Sequence, residues 1–265
     1  MYQYFPELVF GVTVPFIAHE PMESYPRKKG IVSHVAFVVE EYLKEKKMLN
    51  FNSAKISDLV MKKGWLELDE FYKIENIYEF VQNDILFGYN STDMLSAVEV
   101  LQDGFGQCNT KATLLMALLR SVNIPCRLHA FNVSKDFQKG ALPPIIYLLA
   151  PKYILYTWVE VFFNDKWIAK DYLYTVQQKY TAYKGIFKKF VIATKTLETV
   201  NIDWLGNDVF IQKEAVVDDY GIFSSPDILF SKHTQNMSKI KLYLYSHIGT
   251  KMMTKRVIKI RNLKK

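Results

Sequence analysis

Cys108 stands at the head of an apolar helical pattern, and a thiol in that place can act as a nucleophile. From Cys108 the chain reaches Ala112, Leu115, Leu119 and Val122 in steps of four, three, four and three, one face of a helix beginning at or near the cysteine. A helix N-terminus carries about +0.5 of a unit charge and free N–H groups. Thiolates are stabilised there, and cysteine pKa values fall from ~8.5 to roughly 3.5–7.5. The same N–H groups suit a developing oxyanion. Gly104 and Gly106 flank Phe105 just before the cysteine and let backbone approach a substrate closely. The other reading of Cys108 is a small hydrophobe in a tight turn. Cys126 lies in a β-rich run after Pro125 and reads as core filler. The histidines (His19, His34, His129, His233 and His247) form no ligand cluster, and two cysteines rule out a four-cysteine zinc site, so no metal is expected.

The surrounding elements must position that thiol. Pro6, Pro15, Pro21 and Pro26 keep the first thirty residues irregular. Val35, Val38, Val39 and Tyr42 recur at helical spacing, and further helices are predicted over about 53–63 and 70–86. The Cys108 helix ends near Asn123, because Pro125 disfavours helix at the residue before it. Strands are predicted over 126–133, 154–163 and 167–173, with Asn164-Asp165 as the turn between the last two. A short helix near 174–183, β-like pieces around Phe190 and Val209, and a basic C-terminal helix complete the chain. Helices followed by antiparallel strands predict an α+β fold. The expected organisation is an N-terminal extension with helices over 1–65, a core over 66–200, and a C-terminal extension over 201–265.

With 265 residues, 49% hydrophobic and 23% charged, the chain can bury a substantial core, and its 17 Tyr and 18 Phe exclude extended disorder. Of its 34 Lys and Arg, ten follow Asp227 and no acid does, so the excess of +7 belongs to the tail while the body carries about −3. That tail is either a helix with a solvated basic face or a docking segment for an anionic partner, nucleic acid or lipid. The apolar stretch from Gly140 to Phe163 is broken by Pro143, Pro144, Pro151, Lys152 and Glu160, so no transmembrane segment is expected. The start, MYQYFPELVF, has no basic leader, and a reducing cytoplasm is the expected compartment.

The run GFGQCNTKATLLMALLRSVNIPCR (104–127) resembles the core of the transglutaminase-like superfamily of papain-fold thiol enzymes. Gly106, Cys108, Ala112, Leu114, Leu115, Ala117, Leu118, Leu119, Arg120, Ile124, Pro125 and Arg127 carry the likeness. The later run TWVEVFFNDKWIAKD is similar to the family's paired strands, through Trp158, Glu160, Val161, Trp167 and Asp171. DDYGIFSSPD (218–227) looks like a tail of bacterial members. The resemblance implies a Cys-bearing helix packed on an antiparallel sheet and a Cys-His-Asp triad, with Cys108 as nucleophile and Asp171 as the acid that orients the imidazole. It places the histidine two residues before Trp158, where this sequence has Tyr156, and it implies no organic cofactor.

A phenol with pKa ~10 is a poor base near neutral pH, though it can donate a hydrogen bond. His129, in the neighbouring strand, is the candidate substitute base or else a core histidine. Gln102, six residues before Cys108, matches the offset of the oxyanion glutamine in papain-like proteases or else is a surface glutamine. Trp158 is a groove wall or a core aromatic. The expected function is a thiol amidohydrolase or acyltransferase acting on a peptide or amide through a thioester at Cys108, with an atypical Cys-Tyr-Asp site. The rival is a catalytically impaired binding module that keeps the fold.

Overall fold

The computed structural model describes residues 39–135, 144–163, 165–170, 216–234 and 238–255. Helix α1 (Ala54–Lys63) starts at Ser53, whose Oγ accepts from Ile56 N–H, and stops at Gly64 with φ +66°. Helix α2 (Glu70–Asn83) is capped by Asp69, and α3 (Ala97–Asp103) by a reciprocal box between Ser96 and Glu99. Helix α4 (Cys108–Ser121) follows.

Helix α4 is buried on every side from Asn109 to Arg120, not only along the stripe of Ala112, Leu115 and Leu119. Leu114, Met116, Ala117 and Leu118 explain this for the middle of the helix, which is apolar all round and belongs inside the core. It packs against α1, α2 and α3 on one side and the sheet on the other.

The sheet has the order β5-β4-β3-β6 and every pairing is antiparallel: β3 (Cys126–Ser134), β4 (Tyr153–Phe163), β5 (Lys166–Lys170) and β6 (Val216–Phe223). Its period of two divides the side chains. Cys126, Leu128, Ala130, Leu155, Val159 and Val161 join the core around α4, while Phe131, Val133, Tyr156 and Trp158 form a second cluster. Opposite Phe131 stands Tyr156, and opposite His129 stands Trp158. Asp165 takes φ +61° in the β4–β5 turn, a role aspartate fills more readily than most residues.

Several elements depart from expectation, α3 among them. Strand β6 was not expected, because Asp218, Asp219 and Gly221 are poor strand formers; it pairs on β3 with two register shifts. Helix α5 (Pro144–Leu149) begins on Pro144, a residue tolerated in a first turn. A two-residue parallel ladder joins β1 (Leu86–Phe87) to β2 (Phe105–Gly106), and α2 ends at Asn83 to make room for it. The expected pieces over 1–38, 174–183, 190 and 209 lie outside the described residues.

The core crosses both expected boundaries. Met48, Leu49, Ile56, Val60 and Trp65 are buried with α4, as are Phe223, Leu229 and Phe230 from the C-terminal part. Arg120 ties these segments together: its guanidinium donates to the carbonyls of Lys44 (2.5 Å), Cys126 (2.8 Å) and Ser224 (2.5 Å). Asp227, at the start of α6 (Pro226–Lys232), accepts from Met48 N–H at 3.1 Å. Helix α7 (Lys239–Leu244) runs into a π turn (Tyr245–Gly249), and helical backbone continues over 250–255. Among the described residues no helix is long and apolar enough to cross a membrane.

Candidate active site

The loop before Cys108 is held by buried polar groups. Gln107 accepts from Asn90 N–H at 2.6 Å and donates to Asp93 at 2.8 Å. Asn90, itself buried, donates to Asp103 and accepts from Thr110 Oγ1 at 2.7 Å. Gly106 is required by close approach: a Cβ there would lie 2.6 Å from Thr110 Oγ1. The loop is thus pressed onto the first turn of α4. Lys111, 1% exposed, donates to Ile85 O at 2.7 Å, which fixes the end of α2 to the same turn.

Asn109 fixes the thiol against the sheet. Its Nδ2 donates to Leu155 O at 3.0 Å, and its Oδ1 accepts from Thr157 Oγ1 at 3.1 Å. Those partners flank Tyr156. The Cys108 thiol also donates to Asn109 Oδ1, with Sγ at 3.7 Å. Cys108 keeps partial exposure and packs against the cluster of Phe131, Val133, Tyr156 and Trp158. Tyr156 is 1% exposed and Trp158 2%, so Trp158 is a core aromatic of this cluster. Cys126 is buried and free, with its thiol pushed up by burial.

Two further buried phenols lie within electrostatic reach of Cys108. Burial pushes the Tyr89 and Tyr245 hydroxyls up, and the neighbouring Cys108 charge adds to both shifts. They stay protonated and can donate. Each residue keeps some surface in solvent while its hydroxyl lies deep. No spacing in the sequence links positions 89 and 245 to 108; only the docking of the C-terminal helix brings them together. Thr254 completes that docking by accepting from Tyr89 N–H at 3.1 Å and donating to Tyr89 O at 3.2 Å.

His129 has a different set of partners. Its Nδ1 lies 3.1 Å from Glu160 Oε1 and its Nε2 lies 2.8 Å from Asp219 Oδ1. The ring stacks on Phe131 at 4.3 Å and meets the edge of Trp158. Arg127 Nε donates to Glu160 Oε2 at 2.7 Å while its guanidinium lies 3.9 Å from the Trp167 ring centroid. Burial works against the imidazolium, but the two carboxylates outweigh it and hold His129 above its ordinary pKa. Burial likewise works against the Glu160 carboxylate, and His129 and Arg127 overcome it and hold the group below its ordinary range.

Gln102 is exposed on α3. Asp171 lies outside the described residues, as do His19 and His34. His233 stacks on Tyr220, and His247 lies 3.0 Å from the Tyr243 carbonyl. Among the described residues no group of three or more His, Cys, Asp or Glu could hold a metal.

Residues 61–172 match the transglutaminase-like superfamily. The match spans the end of α1 through β5, and so includes Cys108, Tyr156 and three of the four strands of the sheet, β3, β4 and β5. No curated protein matches the chain. A crystal structure of a proposed cysteine protease from Cytophaga hutchinsonii is similar at 17% identity with a TM-score of 0.38. That likeness covers 53% of this chain and 42% of that one, so the chain spans well under half of that protein. The segment that matches that superfamily is a mixed helix and strand fold with a thiol-bearing helix on an antiparallel sheet.

Proposed function

We propose that this protein is a thiol amidohydrolase or acyltransferase that acts on a peptide or amide through Cys108, with Tyr156 in the place the family gives to histidine. The observation that carries the reading is Cys108 at the start of α4, partly exposed and packed against the Tyr156 cluster. The sulfur adds to the amide carbonyl and forms a C–S bond. The C–N bond then breaks, and the amine leaves with the proton that the thiol gave up. Water or a second amine takes the acyl group and returns a proton to the sulfur. Tyr156, Tyr89 and Tyr245 supply neutral donors for the developing negative charge. Asp171 is the proposed third member of the site. Gln102, exposed on α3, has the sequence offset of an oxyanion donor and no further support.

Without an imidazole the reaction is slow. General acid–base assistance is worth about 10²–10⁴-fold. In this reading His129 is structural, because both ring nitrogens already face carboxylates.

A second reading is favoured by those occupied nitrogens and by the phenol at 156: a binding module that keeps the groove without turnover. Incubation with an aryl ester, followed by mass measurement of Cys108, separates the two. The enzyme reading predicts slow acylation of the wild type that Cys108→Ser abolishes, and a rise of about 10²-fold or more in Tyr156→His. Acylation seen only in Tyr156→His would establish the binding module. No acylation in either protein would overturn the enzyme reading.

A further inference from the structure

The C-terminal helical segment over residues 239–255 presents two faces. The inner one is occupied: Tyr245 and Met253 pack with Ile146, Ala150 and Tyr89. Gly249 faces α5, where a Cβ would stand in ordinary van der Waals contact, 3.7 Å from Ile146 Cδ1. The outer face carries Ile240, Leu244, Ile248 and Met252, an apolar row at intervals of four. Ile240 is 75% exposed, Ile248 51% and Met252 41%. Tyr243 adds a further exposed ring, and the lysines at 241, 251 and 255 are exposed beside the row. The neighbouring α5 exposes Ile145 and Leu148 as well. A helix that faced only water on this side would carry polar residues there.

We propose that this face docks on an anionic membrane surface. Two features together select that occupant. The apolar row needs a medium that accepts aliphatic side chains, which the phosphates of a nucleic acid do not provide. The flanking charge is of one sign: no acidic residue follows Asp227, while ten Lys and Arg do. A bilayer interface offers both environments in the right order, acyl chains for the row and anionic headgroups for lysines that extend outward from it. Each lysine near such a surface strengthens binding by about fivefold. The helix would lie in the interface plane, leaving its inner face on α5 and the Tyr89 loop. The inference does not depend on what Cys108 does.

The test is flotation of the full-length chain with vesicles of phosphatidylcholine alone or with about one-third phosphatidylglycerol. The expected result is at least about tenfold stronger association with the anionic vesicles, weakened by high salt. Ile248→Ser with Met252→Ser should reduce it by about tenfold or more, and neutralising Lys241, Lys251 and Lys255 to Gln by a similar factor or more. Circular dichroism confirms that these exposed substitutions leave the fold intact. Failure of the wild type to bind anionic vesicles overturns the proposal. So does vesicle binding that the Ile248 and Met252 changes leave untouched. Self-association of the wild type through this face, without vesicle binding, would overturn it in favour of a second copy.

Discussion

Asn109 and Thr157 are hydrogen-bonded at 3.1 Å, and this bond joins the residue after the thiol to the residue after Tyr156. Together with the bond from Asn109 to Leu155 O it sets the height of α4 on β4. The contact of Cys108 with the Tyr156 cluster therefore depends on a neighbouring amide as well as on general packing.

Removing that amide should be costly. Asn109→Ala leaves the Leu155 carbonyl and the Thr157 hydroxyl buried without this partner, a loss of about 2–4 kcal/mol. Thr157→Val removes a single bond and should cost about 1 kcal/mol. Urea denaturation with an unchanged slope measures both, and equal effects of the two substitutions would contradict the bridging role.

Arg120 should behave as a three-way staple. Arg120→Leu strips donors from the carbonyls of Lys44, Cys126 and Ser224, and a destabilisation of about 3 kcal/mol or more is expected. Arg120→Lys should recover only part of it, because an ammonium lacks the fork that reaches separate carbonyls. The urea midpoint gives the answer, and a loss under about 1 kcal/mol in Arg120→Leu would sink the claim.

The His129 network should make stability depend on pH in a defined direction. His129 lies above its ordinary value of 6.5, so its contribution is complete below that value and is lost as pH rises through the folded pKa. Glu160 lies below its ordinary 4.5, so its contribution is present above that value and is lost as pH falls through the folded pKa. Both are complete between the two. His129→Gln should therefore destabilise the protein more near about pH 5.5 than near about pH 8.5. Thermal melts at the two pH values test this, and the reverse order would contradict it.

The buried phenols should tune the sulfur. Tyr245→Phe keeps the ring against Ile146 and Met253 and removes only the hydroxyl. With a donor lost near Cys108, the thiolate is less favoured and alkylation at neutral pH should slow by up to about tenfold. An unchanged rate in both Tyr245→Phe and Tyr89→Phe would remove the phenols from the site.

The parts of the fold that were legible in the sequence are those with a strong period. Helix α4 could be read from the steps after Cys108, and β3 and β4 from their β-branched and aromatic runs. The burial of α4 on all sides was also written in Leu114, Met116 and Leu118, which lie off the stripe. Strand β6 was not legible because Asp218 and Asp219 take their places through long-range partners, Asn132 and His129. The occupied nitrogens of His129 were hidden for the same reason, since Asp219 is ninety residues away. The resemblance led to Cys108 and Tyr156, and the structure places the cysteine against the tyrosine's cluster. Tyr89 and Tyr245 needed the docking of a C-terminal helix that carries no pattern pointing to the thiol.

The most direct test of the thiol site is the rate at which Cys108 reacts with iodoacetamide as pH is varied, with buried Cys126 as the internal control. An activated sulfur predicts alkylation of Cys108 near about pH 6 at least about tenfold faster than a free thiol of pKa ~8.5, with Cys126 unlabelled. A rate no faster than that of the free thiol across the same range would contradict the account.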